Sequence, residues 1–327
     1  MARVIYICLF TSLAGGRKII AEHVSRLARR GNSAEWWGIK AAPWWFQVPY
    51  RRFTDPNALC EAMQQERNAC FVATWWQTAF LIPANLREQS RGFYLIQDLD
   101  QLVYSNDDSG SSYKLGLTPI TLGEWVTEEV RRLYGLNPVR VGMGLAHRVF
   151  FPENIERDDD CVFASYRPKS GPNDLKGFET IREVMTLVSR ENPNASLVTF
   201  GNQGTPLDLP FQHMHLNQVP DETLRTMYSR AGVFLQASKH EGFGLPPLEA
   251  MACGLPVVTT DTQGGREFCI HGETALVGDD VETLARHVLQ LQRDRNEWNR
   301  LSAAGLAKAS EYRWPPVIDK LECLFST

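Results

Sequence analysis

Residues 240–260, HEGFGLPPLEAMACGLPVVTT, admit few folds. Gly242 and Gly244 make a loop, and Pro246 and Pro247 suit the entry to a helix. Proline presets φ there and gives up only an N–H that has no intrahelical partner. Leu248, Met251 and Ala252 form an apolar stripe, and Gly254 stops the helix. Leu255 to Thr260 then reads as a strand buried on both faces, the kind a parallel sheet uses. A glycine loop opening onto a helix start attracts anions, because backbone N–H groups and the positive end of the helix dipole face it. Glu241 and Glu249 stand beside that loop, which is consistent only if each carboxylate has hydroxyl groups to bind. A nucleotide-sugar presents both chemistries, an anionic diphosphate and the hydroxyls of ribose and sugar.

The same strand–helix alternation runs along the chain. In the first half, strands are expected at residues 4–10, 70–74, 93–97 and 118–122, with helices at 17–30 and 124–134. The polar stretch 153–160 reads as a linker. A second series follows, with strands at 161–165, 196–200, 233–236 and 255–260 and helices at 178–190, 221–230, 281–293 and 297–310. Repeated units of this length imply parallel sheets with helices on both faces. The expected class is α/β, two Rossmann-like domains with parallel sheets facing a central cleft. The first would span residues 1–150 and the second residues 151–310, with a C-terminal helix, 311–327, crossing back to the first. Ligands are then expected at the carboxyl ends of the strands.

Composition narrows the function classes. The 327 residues suffice for two domains, and 43% hydrophobic with 22% charged residues is the balance of a globular protein. A formal charge of -4 argues against a dedicated nucleic-acid binder. No apolar run reaches the length of a membrane span, and the apolar start, residues 4–10, reads as a core strand rather than a secretion signal. The seven cysteines lack CxxC spacing and lie mostly in apolar runs, which points to reduced thiols and a cytoplasmic setting.

The second half resembles the retaining GT-B glycosyltransferases of the GT4 type, whose signature is a pair of glutamates separated by seven residues. Here the pair is Glu241 and Glu249, followed by Ala250-Met251-Ala252-Cys253-Gly254-Leu255-Pro256-Val257-Val258. The likeness runs from about Val139 to the end of the chain. The Ala73–Ala79 segment is similar to a subset of bacterial rhamnosyl-type transferases. The resemblance implies transfer of a sugar from a nucleotide-sugar donor to a saccharide acceptor, a glycan or glycolipid, with retention of configuration. It implies no metal and no other cofactor, since side-chain cations and the helix dipole assist diphosphate departure, and no protein base, since the leaving phosphate takes the acceptor proton. By the same resemblance Glu241 approaches the donor sugar, Glu249 binds the ribose, and the Gly242, Phe243, Gly244 and Leu245 backbone faces sugar and diphosphate.

Negative charge builds on the diphosphate as the glycosidic bond breaks, so cations are needed beside it. The family places an Arg and a Lys after the first strand of the second domain, which here selects Arg167 and Lys176, with Lys169 as the other candidate lysine. Gly15 and Gly16, after the first strand, correspond to a family loop that approaches the donor; by themselves they also read as simple chain reversal. Asp98 stands about where the family carries a polar first-domain residue near the reacting sugar. Asp98-Leu99-Asp100 is also a DxD pattern, the metal-diphosphate clamp of the GT-A fold, and equally a strand-ending turn capped by Asp.

Three further features stay open. Trp36, Trp37, Trp44, Trp45, Trp75 and Trp76 all fall in the first half, where they could stack on acceptor sugars or fill the core. Arg17, Lys18, Arg26, Arg29 and Arg30 could bring the first helix to an anionic inner-membrane surface or form a solvated face. His213 and His215 have strand spacing without a third ligand, so no metal site is expected. A catalytically idle nucleotide-sugar-binding subunit and a metal-dependent transferase using Asp98 and Asp100 are the alternative functions.

Overall fold

The computed structural model describes residues 3–84, 86, 89–99, 107–166, 174–201 and 209–326. The chain divides into two compact units, Met1–Met143 with Trp314–Thr327, and Gly144–Arg313. Each is built on one parallel sheet.

The first unit contains β1 (Arg3–Ile7), β2 (Ser33–Gly38), β3 (Tyr50–Arg52), β4 (Ala69–Ala73), β5 (Arg91–Ile96), β6 (Thr118–Thr121) and β7 (Val139–Arg140), in the order β3-β2-β1-β4-β5-β6-β7. Every pairing is parallel. The strand order reverses between β1 and β4, which makes their carboxyl ends the switch point of the sheet. All five residues of β4 are buried, as helices on both faces require. The helix Trp314–Ser326 belongs to this unit and buries Trp314, Val317, Ile318, Leu321 and Phe325, a stripe at helical spacing. Phe325 packs edge-on against Phe93 of β5 at 5.1 Å, and Arg91 donates to its carbonyl at 2.6 Å.

Several segments differ from the sequence expectation, among them the unforeseen strands β3 and Gln212–Asn217 and the helix Pro56–Gln65. β1 ends at Ile7, so Phe10 lies in the following loop, 42% exposed. β2 was hidden by its tryptophans: Trp36 and Trp37 are fully buried, with Trp37 packed on Phe53 at 4.9 Å, so both are core. Asp158–Asp160, read as linker, open the next strand, where Asp160 accepts from Asn192 at 2.6 Å and Asp159 pairs with Arg295 at 3.0 Å. A strand that starts at the protein surface can carry charges in its first turns of pleat without cost.

The second unit contains β8 (Asp158–Ser165), β9 (Ser196–Gly201), β10 (Gln212–Asn217), β11 (Ala231–Gln236), β12 (Val257–Thr259) and β13 (Leu276–Val277), in the order β10-β9-β8-β11-β12-β13. Its switch point lies between β8 and β11. Val162, Ala164, Val233 and Leu235 face the helices Phe178–Glu191 and Val281–Arg293, forming one core layer. Phe163 and Phe234 point the other way and pack on Tyr228 at 5.1 and 5.6 Å. His213 and His215 each share a hydrogen bond with Thr199 Oγ1 at 2.9 Å, and burial lowers the pKa of both. Their pairing through one hydroxyl makes them part of the sheet's polar packing.

All seven cysteines are free, and Cys8, Cys70, Cys161, Cys253 and Cys269 are buried. Burial pushes the Cys161 thiol up to about 11 and Cys253 up to about 12, so both stay protonated and unreactive at neutral pH. No described helix is long and apolar enough to cross a membrane.

Candidate active site

Adjacent parallel strands β8 and β11 deliver two segments to the switch point of the second unit, residues 174–177 and 237–244. A backbone hydrogen bond from Lys239 N to Leu175 O, 2.9 Å, ties them together. Gly177 makes that approach possible. Its φ of +65° is in the left-handed region, and a Cβ there would stand 1.8 Å from the carbonyl oxygen of Ala237. Asp174, buried, accepts from the amide of Glu179 at 3.0 Å and so fixes the entry to the helix Phe178–Glu191.

The result is an ion pair that sequence distance hides. Lys176 Nζ donates to Glu241 Oε1 at 2.6 Å, and Ser238 Oγ donates to the same oxygen at 2.7 Å. Glu241 is 8% exposed while the Lys176 side chain is 30% exposed, so the carboxylate is recessed and the ammonium reaches outward. Charge-assisted hydrogen bonds of this length are about twice as strong as neutral ones. The Glu241 carbonyl accepts from Gly264 N at 3.1 Å, and a Cβ on Gly264 would meet Gly242 at 2.6 Å. A third segment therefore holds the glutamate loop from behind.

Gly244, with φ at +95°, turns the chain into the helix Leu245–Ala252. Pro246 and Pro247 occupy its first turn, and since proline carries no N–H they remove two of the donors a helix start usually presents. Anion attraction at this end therefore rests on the backbone of Phe243, Gly244 and Leu245 and on the dipole. Phe243 is buried against Phe268 and Tyr312 at 5.5 and 5.8 Å, which anchors the loop from its apolar side. Glu249 follows one turn into the helix, 5% exposed, and accepts from Tyr228 OH at 3.1 Å. Burial, and next the charge of Glu249, hold the Tyr228 hydroxyl well above its ordinary pKa. It stays a donor at any working pH, which steadies Glu249.

In the first unit, Gly15 and Gly16 open the helix Gly15–Arg29 after β1. A Cβ on Gly16 would come within 2.9 Å of the Gln97 amide oxygen, so the glycine admits that side chain against the backbone. Asp98 accepts from Leu99 N at 2.8 Å, the geometry of a turn-capping aspartate. Arg167, Lys169 and Asp100 lie outside the described residues. The structure thus brings Lys176 to Glu241, sets Glu249 behind them, and places Gly15, Gly16 and Asp98 in the other unit. Ser238 and Tyr228 were not foreseen. Ser238 stands three residues before Glu241 in a loop, a readable signal, whereas Tyr228 has the spacing of an ordinary core residue with Leu224.

Comparison with known proteins shows what this segment is similar to. Residues 172–308 match the family model of glycosyl transferases group 1. The group 1 segment takes in Lys176, Glu241 and Glu249 together with Ser238 and Tyr228. Among curated relatives, the chain is 42% identical over 103 residues to the O-antigen chain mannosyltransferase B of Escherichia coli, covering 31% of this chain and 26% of that protein. It is 25% identical over 264 residues to the O-antigen biosynthesis protein RfbC of Myxococcus xanthus, covering 76% of this chain and 20% of that protein. The matched stretches thus span only about a quarter of the one relative and a fifth of the other. Among solved structures, the Anabaena HepE complex with UDP-glucose superposes with a TM-score of 0.81 at 14% identity over 99% of both chains. Sucrose-phosphate synthase from Thermosynechococcus elongatus superposes with a TM-score of 0.80 at 16% identity, over 100% of this chain and 98% of that one. Two parallel-sheet units with these neighbours make the fold GT-B.

Proposed function

We propose that the protein is a retaining, metal-independent glycosyltransferase that moves a hexosyl or deoxyhexosyl group from a nucleotide-sugar to a saccharide acceptor. The observation that carries the reading is the Lys176–Glu241 pair at the switch point of the group 1 segment, 2.6 Å apart. A recessed carboxylate beside an outward ammonium is the arrangement a sugar diphosphate needs, with hydroxyls on the acid and phosphate oxygens on the base. In this reading Glu241 binds donor-sugar hydroxyls and Glu249, steadied by Tyr228, binds the ribose. Lys176 and Arg167 take up the charge of the departing diphosphate, helped by the amides of Phe243, Gly244 and Leu245. The phosphate oxygen accepts the proton of the incoming hydroxyl, so no protein base is required. The acceptor binds on the first unit, where Gly15, Gly16 and Asp98 lie.

O-antigen relatives support a surface-polysaccharide acceptor, made on the cytoplasmic side where reduced thiols persist. Membrane attachment through the first helix has less charge to draw on than its five cations imply. Arg26 is held by Glu22 at 2.6 Å, and Arg30 by Asp319 and Glu322 at 2.5 and 2.8 Å.

Calorimetric titration with UDP, GDP and dTDP tests the proposal. At least one nucleotide should bind, and Glu249→Ala should weaken it by about tenfold or more, since a hydrogen bond to a charged group contributes about 1.5–3 kcal/mol. Failure of all three to bind would sink it.

A further inference from the structure

The switch point of the first unit carries no charged cluster; it carries aromatic rings. Phe10, from the loop after β1, and Trp75, from the loop after β4, meet edge to face at 5.8 Å. Trp75 continues to Trp76 at 5.9 Å, and Trp76 to Phe80 at 6.3 Å. From the loop after β2, Trp45 donates its indole N–H to Thr11 O at 2.8 Å, bringing a third strand end into the same row. Trp76 rests on the core of the first unit, but the row as a whole is not buried. Phe10 is 42% and Phe80 46% exposed, and Trp45, Trp75 and Trp76 are half-buried. The contributing segments, 8–12 and 73–80, contain no charged residue.

We infer that this aromatic row is a saccharide-binding platform, on which the acceptor's neutral hexopyranose units lay their C–H faces. The inference rests on the reading of the protein as a glycosyltransferase and names the acceptor subsite within it. Three observations favour a sugar. The row sits at the switch point of a doubly wound sheet, where ligands bind, rather than on an outer helix face. Its rings are locked by edge-to-face contacts into fixed orientations, which suits a rigid pyranose ring. The segments 8–12 and 73–80 carry no charge of their own, and the neighbouring Arg17 donates to the Ser12 carbonyl, which favours a neutral partner. Gln77 and Ser12 supply hydrogen-bonding groups from the same segments. A membrane interface is the competing use of exposed aromatics, and the test includes it.

The test measures binding of neutral trisaccharides of glucose, galactose and mannose to the intact chain by tryptophan fluorescence and saturation-transfer NMR. It compares wild type with Phe10→Ala, Phe80→Ala and Phe10→Tyr. Wild type should bind at least one of them, the two alanine variants should weaken it about tenfold or more, and Phe10→Tyr should retain it. Unchanged melting temperature and nucleotide affinity show that the variants are folded. Equal binding by wild type and Phe10→Ala, or no binding of any trisaccharide by wild type, overturns the platform. So does loss, in Phe10→Ala, of binding to phosphatidylcholine–phosphatidylglycerol vesicles alone. Nucleotide titration runs separately, so failure of the donor reading and failure of the platform give different results.

Discussion

At Gly177 the backbone has no alternative to glycine: φ is +65°, and a Cβ would overlap the carbonyl oxygen of Ala237. At Gly135 φ is nearly the same, +64°, but nothing lies within 4 Å of the Cβ position. The pair separates strain from collision. Gly135→Ala should cost about 1 kcal/mol, the left-handed penalty alone. Gly177→Ala should cost about 2–4 kcal/mol and also weaken nucleotide binding, because the loop carrying Lys176 must move. Urea unfolding with and without nucleotide checks both; equal losses in the two variants would refute the account. Lys176 makes a second residue-level prediction. Lys176→Ala should lower kcat/KM by about 100-fold, mostly through kcat, if the ammonium meets charge that develops in the transition state. A loss confined to KM would assign it to ground-state binding only. The sequence named Glu241 through its glycine-loop motif and Lys176 through the family resemblance. Their contact could not be read, because it joins residues 65 apart and depends on which strands are neighbours.

Elements show the same division between what pattern carries and what packing decides. The helices Glu124–Tyr134, Asp221–Arg230 and Val281–Arg293 appear at the expected bounds, since each has a clear apolar stripe and a defined stop. β2 did not, because its core residues are tryptophans that sequence alone reads equally as sugar-stacking groups. β10 was equally obscure, because an edge strand alternating with His213 and His215 lacks the apolar run of a central one. The helix Gly15–Arg29 contains a buried titratable group whose effect is testable. His23 is fully buried, hydrogen-bonded to Tyr6 OH at 3.2 Å and edge-on to Trp314 at 5.7 Å. Burial, with a smaller contribution from Arg26, lowers its pKa to about 3. The unfolded chain takes up this proton near pH 6.5 and the folded one does not, so stability falls as pH drops from about 6.5 toward 3. Between pH 7 and pH 5 that loss is about 2 kcal/mol for this group. Burial lowers His213, His215 and His287 as well, which adds to the slope with the same sign. His23→Gln should therefore flatten the fall in urea midpoint between pH 7 and pH 5, whatever its midpoint at pH 7. An unchanged slope would show that His23 is protonated in the folded protein.

For the molecule as a whole, the proposed reaction needs positive charge beside a departing diphosphate. The formal charge is -4, so no general surplus of cations surrounds the site. A divalent metal, a side-chain cation and a helix dipole are the three sources available to such a reaction. Asp98, half of the DxD pattern, spends one carboxylate oxygen on the amide of Leu99. Lys176, by contrast, stands at the carboxyl ends of the central strands with its ammonium partly exposed. Turnover, followed as nucleotide release, should therefore be unchanged in excess EDTA and gain nothing from added Mg²⁺ or Mn²⁺. Lys176→Ala should not be rescued by either ion, because in the proposed reaction the charge beside Glu241 comes from the ammonium itself. A fall of more than about tenfold in EDTA, reversed by Mn²⁺, would move the charge to a metal and make Asp98 and Asp100 its first candidate ligands.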